Sequence, residues 1–488
     1  MNIGLVVTRK VREELTDDFL VKIYKESGIP YVAEFGDYLT TDVRDNELQG
    51  LLIISENDMS KFVSEADEKL GINPLAIEVL PLQWFIKKSE NYKFTLLMAY
   101  IRKLMKQDLV YRLQPIKNVT ITRRSLIRFK LYDYKPYPVL FDSIFAEREI
   151  NTLISSCPKN LIAKSIEGVA VTSPENCSYC GYCTAKGYLG YLEMPNFTTD
   201  QLVYFLNAIN YYDEKARALL FTKSQDLSIS EGQYPLLVPS IASIPDVFVY
   251  VVYASGLIPV IVTGEDLTEL EKKRLEEIPD YFPASKLPIY KINKKEIDKL
   301  NFQISLKKSL IPEDLPLKKY RRRTLYLWAI EEMKNKVKLD EEAVIPDVYF
   351  VDVDPNKCVL CGVCVRACQM IVPDMKNLNG SLSLEYNIPM CIGSQRCVKN
   401  CPENAIKVER FAKLKELKKV TVNQAEIAKC RYCGKPIGSV KVKSRVDTLL
   451  INMGFSGTAQ YTDVCNECKQ KMLTKMWLEN YLKIKGGK

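Results

Sequence analysis

Among the 488 residues there is no histidine. That absence removes the usual general base near neutral pH and one of the two commonest transition-metal ligands, so any metal site must rest on thiolate sulfur. No GxGxxG occurs either, and no glycine-rich loop follows the N-terminal strands, which leaves a Rossmann-type FAD or NAD site unsupported. The longest nearly continuous apolar stretch, "VFVYVVYASGLIPVIV" at 247–262, falls short of the roughly 20 residues that a bilayer requires. Its β-branched runs on either side of Ala254, Ser255 and Gly256 predict a strand, a short connection and a second strand. The start, "MNIGLVVTRK", lacks the order of a secretory signal, whose basic residues precede the apolar run. These absences lead us to expect a cytoplasmic chain with no transmembrane segment of its own.

What is present is length, apolar content and cysteine. An apolar fraction of 47% over this length suggests about three or four domains. The net charge of +9 is spread through short clusters such as "KKYRRR" (318–323) and "KLKELKK" (413–419). Without interleaved aromatics these read as solvated faces or linker, and no nucleic-acid partner is expected. Fifteen cysteines in a large intracellular chain point to metal ligation rather than disulfides, and they fall into three groups separated by long cysteine-free stretches.

The middle group carries the strongest pattern. "NKCVLCGVCVRACQ" places Cys358, Cys361, Cys364 and Cys368 in C-x2-C-x2-C-x3-C spacing. In two-cluster ferredoxins the fourth cysteine of each motif ligates the other cluster. Cys358, Cys361 and Cys364 would therefore hold one [4Fe-4S] cluster together with Cys401, leaving Cys368, Cys391 and Cys397 for a second site. In "MCIGSQRCVKNCPENAI" that second site has Ser394 where a ligand belongs. Ser394 could supply an oxygen ligand to a fourth iron, the site could hold a [3Fe-4S] cluster, or the cysteines could be merely buried. The C-x5-C-x3-C-P pattern resembles the three-iron site in iron-sulfur subunits of succinate dehydrogenases and fumarate reductases. Soft thiolates also hold such clusters better than an alcohol does, so a [3Fe-4S] cluster is the favoured expectation.

The first group looks like half of the same design. Cys157 precedes Pro158, and Cys177, Cys180 and Cys183 follow in C-x2-C-x2-C spacing, which completes one further [4Fe-4S] set. The partner cluster's positions are Glu147, Ile150, Leu153 and Gly187, so it cannot form. The last group differs in kind. Cys430 and Cys433, then Cys465 and Cys468, form two C-x2-C knuckles suited to tetrahedral structural zinc, although rubredoxin-like iron shares the spacing.

The remaining chain reads as an α/β and α+β multidomain protein, with small α/β domains, ferredoxin-like iron-sulfur modules and a C-terminal zinc-ribbon-like module. "NIGLVVT", "YVAEFGD" and "GLLIIS" read as strands and "DDFLVKIYKESGI" as a helix, while 73–108 reads as helical throughout. Further on, "TDQLVYFLNAINYY" and "EDLTELEKKRLEEI" read as helices and "ALLFT" and "YPLLVPS" as strands. The expected order is an α/β domain over 1–140, a one-cluster ferredoxin-like module over 141–200 and a cluster-free α/β domain over 201–292. A lysine-rich helical linker over 293–345, a dicluster module over 346–412 and a four-cysteine zinc module over 420–488 follow.

The stretch "GINPLAIEVLPLQWFIKKSENYKFTLLMAYIRKLM", followed by a ferredoxin module ending in "YLEMPNFTTDQL", resembles the flavin-bearing subunit of heterodisulfide reductase, here without its flavin domain. "YPLLVPSIASIPDVFVYVVYASGLIPVIVTGEDL" resembles the delta subunit of methyl-viologen-reducing hydrogenase, here without that subunit's cluster cysteines. With the flavin domain gone, flavin-based electron bifurcation does not carry over. The expectation that survives is an iron-sulfur electron-transfer subunit of a multisubunit oxidoreductase of heterodisulfide reductase-like, hydrogenase, formate dehydrogenase or respiratory type. Its partners would be other subunits of a redox complex, one of which could bring it to a membrane, and a soluble electron carrier. Two rivals stand beside it: a self-contained disulfide or sulfur reductase, for which no spare cysteine remains, and an iron-sulfur and zinc nucleic-acid-binding regulator.

Overall fold

Short strands, largely buried except for the half-buried edge strand Tyr31–Glu34, alternate with half-buried helices to build the N-terminal sheet. β1 (Ile3–Val7) leads to α1 (Asp17–Ser27), which the Thr16 side chain caps through the Phe19 N–H and which ends at Gly28. β2 (Tyr31–Glu34), β3 (Gly50–Ser55) and β4 (Ile77–Pro81) complete an all-parallel sheet of order β2-β1-β3-β4. The computed structural model describes all residues except 37, 108–115, 118–131, 142–146, 167, 301, 303, 316–319, 379, 456–458 and 486–488. Its architecture is mixed α/β and α+β, in two compact units, Met1–Leu339 and Asp340–Lys488.

β4 corrects the expectation of a helix throughout 73–108. Ile77 to Pro81 pair along β3, from Leu51↔Ile77 to Ser55↔Pro81, and Glu78 forms a buried ion pair with Lys103. The helix α2 (Glu90–Met105) begins only where Ser89 caps it. Local periodicity favoured a helix, but the free edge of β3 wins the segment.

In the first ferredoxin-like region α3 (Glu147–Ser156) packs against the short α4 (Tyr182–Lys186). α5 (Thr199–Tyr212) carries a capping box between Thr198 and Gln201 and packs on α2, with Tyr100 edge-on to Phe205 at 5.1 Å. β5 (Ala218–Thr222), β6 (Gln233–Leu237), α6 (Asp246–Ser255), β7 (Ile258–Thr263), α7 (Glu269–Glu277) and β8 (Tyr290–Asn293) form a second parallel sheet, ordered β6-β5-β7-β8. It repeats the strand order of the first.

α6 overturns the expected strand pair at 247–262, whose second half alone is a strand. Pro245 and Asp246 start the helix, buried Arg274 bonds the Ile244 carbonyl and the Asp246 carboxylate, and Gly256 ends it at φ +96°. A continuous apolar run carries no periodicity that separates a fully buried helix from a buried strand. The expected helical linker is corrected too. After β8 the chain forms a 3-10 stretch at Lys294–Lys299 and becomes α-helical only in α8 (Arg321–Lys336). Lys318 and Lys319 lie outside the described residues, but Arg321, Arg322 and Arg323 are buried rather than solvated.

In the second unit β9 (Val344–Tyr349) and β10 (Asp352–Val353) precede α9 (Val363–Ala367), β11 (Pro373–Leu378), β12 (Ser381–Asn387) and α10 (Arg396–Lys399). β13 (Ile406–Lys407) returns to pair with β10, and β14 (Phe411–Lys413) with β9. β15 (Lys419–Lys429) and β16 (Pro436–Ser439) then extend an antiparallel sheet of order β11-β12-β15-β16, followed by α11 (Val440–Asn452) and α12 (Asn466–Lys485). β15 thus pairs with β12, so strands from 346–412 and 420–488 share one sheet rather than standing in separate modules. No helix among the described residues is long and apolar enough to cross a membrane.

Candidate metal centres

Three loops share one backbone form. In "CSYCGYC" Tyr179 and Gly181 have φ of 56° and 68°, and in "CVLCGVC" Leu360 and Gly362 have 62° and 72°. In "CIGSQRC" Gly393 and Gln395 have 68° and 60°. Left-handed residues thus flank the second ligand position of every loop, whether it is Cys180, Cys361 or Ser394. Such backbone costs an L-residue about 1–2 kcal/mol, so Tyr179, Leu360 and Gln395 are held there by their surroundings. Alternating right- and left-handed residues aim successive N–H groups into a concavity that suits an anionic cluster. Ser394 occupies a ligand's place on a ligand's backbone.

The seven cysteines of the middle group sort into two pockets. Cys358, Cys361, Cys364 and Cys401 line one with Leu360, Pro402 and Ala405. Cys368, Cys391 and Cys397 line the other, together with Ser394, Met370 and Tyr386. Cys368 and Cys401 each leave their own sequence motif for the opposite pocket, as the crossing rule requires. Burial pushes the Cys364 thiol up, and Cys358 and Cys361 add to it. Burial, then Cys391 and Cys368, push Cys397 up to about 12. Thiols that oppose one another's ionisation suit a shared cationic metal core, which deprotonates its ligands outright. The residues of both pockets therefore fit an iron-sulfur group.

The first group converges in the same way. Burial, then the neighbouring Cys180, Cys157 and Cys177, push the Cys183 thiol well up, so the other three cysteines of the group stand near Cys183. Cys157 Sγ accepts the Leu161 N–H at 3.3 Å, and Cys401 Sγ accepts the Ala405 N–H at 3.3 Å. The two Cys-Pro sites are therefore built alike. Around Gly187, where the second cluster's closing cysteine would stand, protein atoms fill the space. A β-carbon there would meet Glu149 Oε1 and Leu153 Cδ2, each at 3.1 Å. Glu149, fully buried, accepts the Tyr188 and Leu189 N–H groups at 3.3 Å.

The last four sulfurs, of Cys430, Cys433, Cys465 and Cys468, lie within 4.8 Å of one another, a spacing suited to one metal ion. The N–H groups of Cys465, Cys433 and Tyr432 hold the Cys430 thiol down at about 6. Gly434, at φ +70°, turns the first knuckle between β15 and β16, and the Lys435–Glu467 ion pair at 2.7 Å braces it against the second. That second knuckle opens α12 rather than a hairpin, which accounts for its lack of a turn glycine.

No protein-family model matches the chain, and no curated protein matches it.

Two groups of supporting residues, one in each unit, escaped sequence reasoning. Arg322, fully buried, donates to the Gly187 carbonyl at 2.7 Å and to the Thr184 carbonyl, and pairs with Glu193 at 3.3 Å. Arg321 pairs with Asp200 and Glu193 and lies 3.4 Å over the Phe141 ring. The forks of these arginines tie α8 to the loop that carries Cys183. The available signal was the choice of arginine over lysine beside the carboxylates of "YLEMPNFTTD", since a planar fork suits buried pairing. In the second unit Asn423 of β15 donates to the Cys358 carbonyl at 2.7 Å, and Ser439 of β16 to the Val359 carbonyl at 2.7 Å. Arg445 of α11 pairs with Glu403, two residues past Cys401, at 2.9 Å. The hairpin that bears Cys430 and Cys433 therefore also clamps the loop of the first pocket.

Proposed function

We propose that this chain is an iron-sulfur electron-transfer subunit of a multisubunit oxidoreductase, relaying single electrons between a partner's catalytic centre and another carrier. The observation that carries the reading is the shared left-handed backbone of three loops, each turned toward its own set of cysteines. Cys157, Cys177, Cys180 and Cys183 would hold one [4Fe-4S] cluster, and Cys358, Cys361, Cys364 and Cys401 a second. Cys368, Cys391 and Cys397 would hold a [3Fe-4S] cluster beside Ser394, and the last four cysteines a structural zinc. When bound, such clusters take up and release one electron at a time, at potentials set by burial and by hydrogen bonds to their sulfurs. The chain's own part is to position the thiols, to donate the Leu161 and Ala405 N–H groups to Cys157 and Cys401, and to keep water away with apolar walls. None of this requires an acid or base, in keeping with a chain that has no histidine.

The order of segments, with its resemblance to the flavin-bearing subunit of heterodisulfide reductase and to the hydrogenase delta subunit, supports a place beside a catalytic partner. Stopped-flow mixing of the anaerobically reduced chain with a one-electron acceptor tests the reading. Cluster bleaching within milliseconds, without steady turnover of a disulfide by the chain alone, is expected. Sustained disulfide reduction by the isolated chain would overturn it.

A further inference from the structure

Tyr386 lies one residue before the end of β12, between Pro373 on β11 and Val420 on β15, and is fully buried. Its ring lines the pocket of Cys368, Cys391 and Cys397, but its hydroxyl has no hydrogen-bond partner among the described residues. A desolvated hydroxyl left so is costly, an odd feature on the central strands of a packed sheet. The groups that face it are cysteines of both pockets. A phenol keeps its proton at neutral pH, so toward the ligating sulfurs of Cys397 and Cys364 beside it the hydroxyl can only donate.

We propose that the Tyr386 hydroxyl donates a hydrogen bond to the Cys364 sulfur once that cysteine ligates a cluster, making Tyr386 a positioning residue that raises this cluster's reduction potential. The inference rests on the electron-transfer reading above. The physical reason is charge: the reduced cluster carries one more negative charge than the oxidised one, so its sulfurs accept a hydrogen bond more strongly and reduction is favoured. Because Tyr386 also faces Cys397 of the other pocket, the effect falls on a residue standing between two redox sites. It would bias which of the two holds the electron.

The test is an EPR-monitored redox titration of the full-length chain, wild type against Tyr386→Phe, with iron counted on each sample. The expected result is equal iron and a roughly tenfold less favourable reduction of one four-iron cluster, about 59 mV for a one-electron couple. Tyr386→3-fluorotyrosine, introduced at that site alone, keeps the ring and strengthens the donor, and should move the same cluster the opposite way. Should Tyr386→Phe fail to retain iron, the fluorinated protein decides by itself. Potentials that ignore these replacements in a cluster-loaded protein would overturn this inference alone. A wild-type chain that assembles no cluster would overturn the underlying reading with it.

Discussion

Ser394 separates the pocket of Cys368, Cys391 and Cys397 from a complete set of four cysteines. The backbone around it already has the form of a ligand loop, with Gly393 and Gln395 left-handed as Leu360 and Gly362 are around Cys361. Ser394→Cys therefore needs no rearrangement. It should raise the iron content from about eleven to about twelve atoms per chain and replace a three-iron EPR signal with a third reduced four-iron spectrum. An unchanged iron count in a well-folded variant would contradict this. Arg322 is the residue whose loss should cost most in the first unit. Arg322→Met leaves Glu193 buried beside Arg321 alone and frees the Thr184 and Gly187 carbonyls, so about 3–5 kcal/mol of stability should disappear. Urea denaturation followed by the loss of the first cluster's absorbance measures it.

Elements explain how one centre supports another. β15 and β16 run from the sheet they share with β11 and β12 into the Cys430 knuckle while Asn423 and Ser439 hold the Cys358–Val359 backbone. Removing zinc with a chelator, or Cys465→Ser, should loosen that hairpin and speed iron loss from the first pocket. Asn423→Ala should do the same with the zinc still bound, at a cost of about 1–3 kcal/mol for the unpaired Cys358 carbonyl. Iron-release kinetics under a ferrous chelator would show it. Much of this scale was legible beforehand. The crossing pattern of two-cluster ferredoxins put Cys401 with Cys358, Cys361 and Cys364 and put Cys368 with Cys391 and Cys397, as the two pockets are lined, and the strands at 3–7, 31–34, 50–55 and 218–222 follow from apolar runs between polar turns. Long-range competition was not legible. β4 is a strand because β3 offers it an edge, α6 is a helix inside an apolar run without period, and the Asn423 clamp spans 65 residues of sequence. Arg321 and Arg322 look like surface charge until Glu193 and Asp200 are found beside them.

At the scale of the whole molecule, the division at residue 340 puts one set of four thiols in the first unit and every other cysteine in the second. Residues 340–488 expressed alone should then keep about seven irons and one zinc, by ligand count. Loss of all metal from this piece would show that the second unit does not stand by itself. The electron-transfer account depends most directly on what the eleven sulfurs of the first two groups hold. The decisive measurement is low-temperature EPR of the anaerobically purified full chain, as isolated and after dithionite, with iron and zinc counted on the same sample. The account predicts about eleven irons and one zinc, a near-isotropic signal when oxidised that vanishes on mild reduction, and two reduced four-iron spectra after dithionite. A chain that carries zinc at all three groups, or no iron at all, would contradict it.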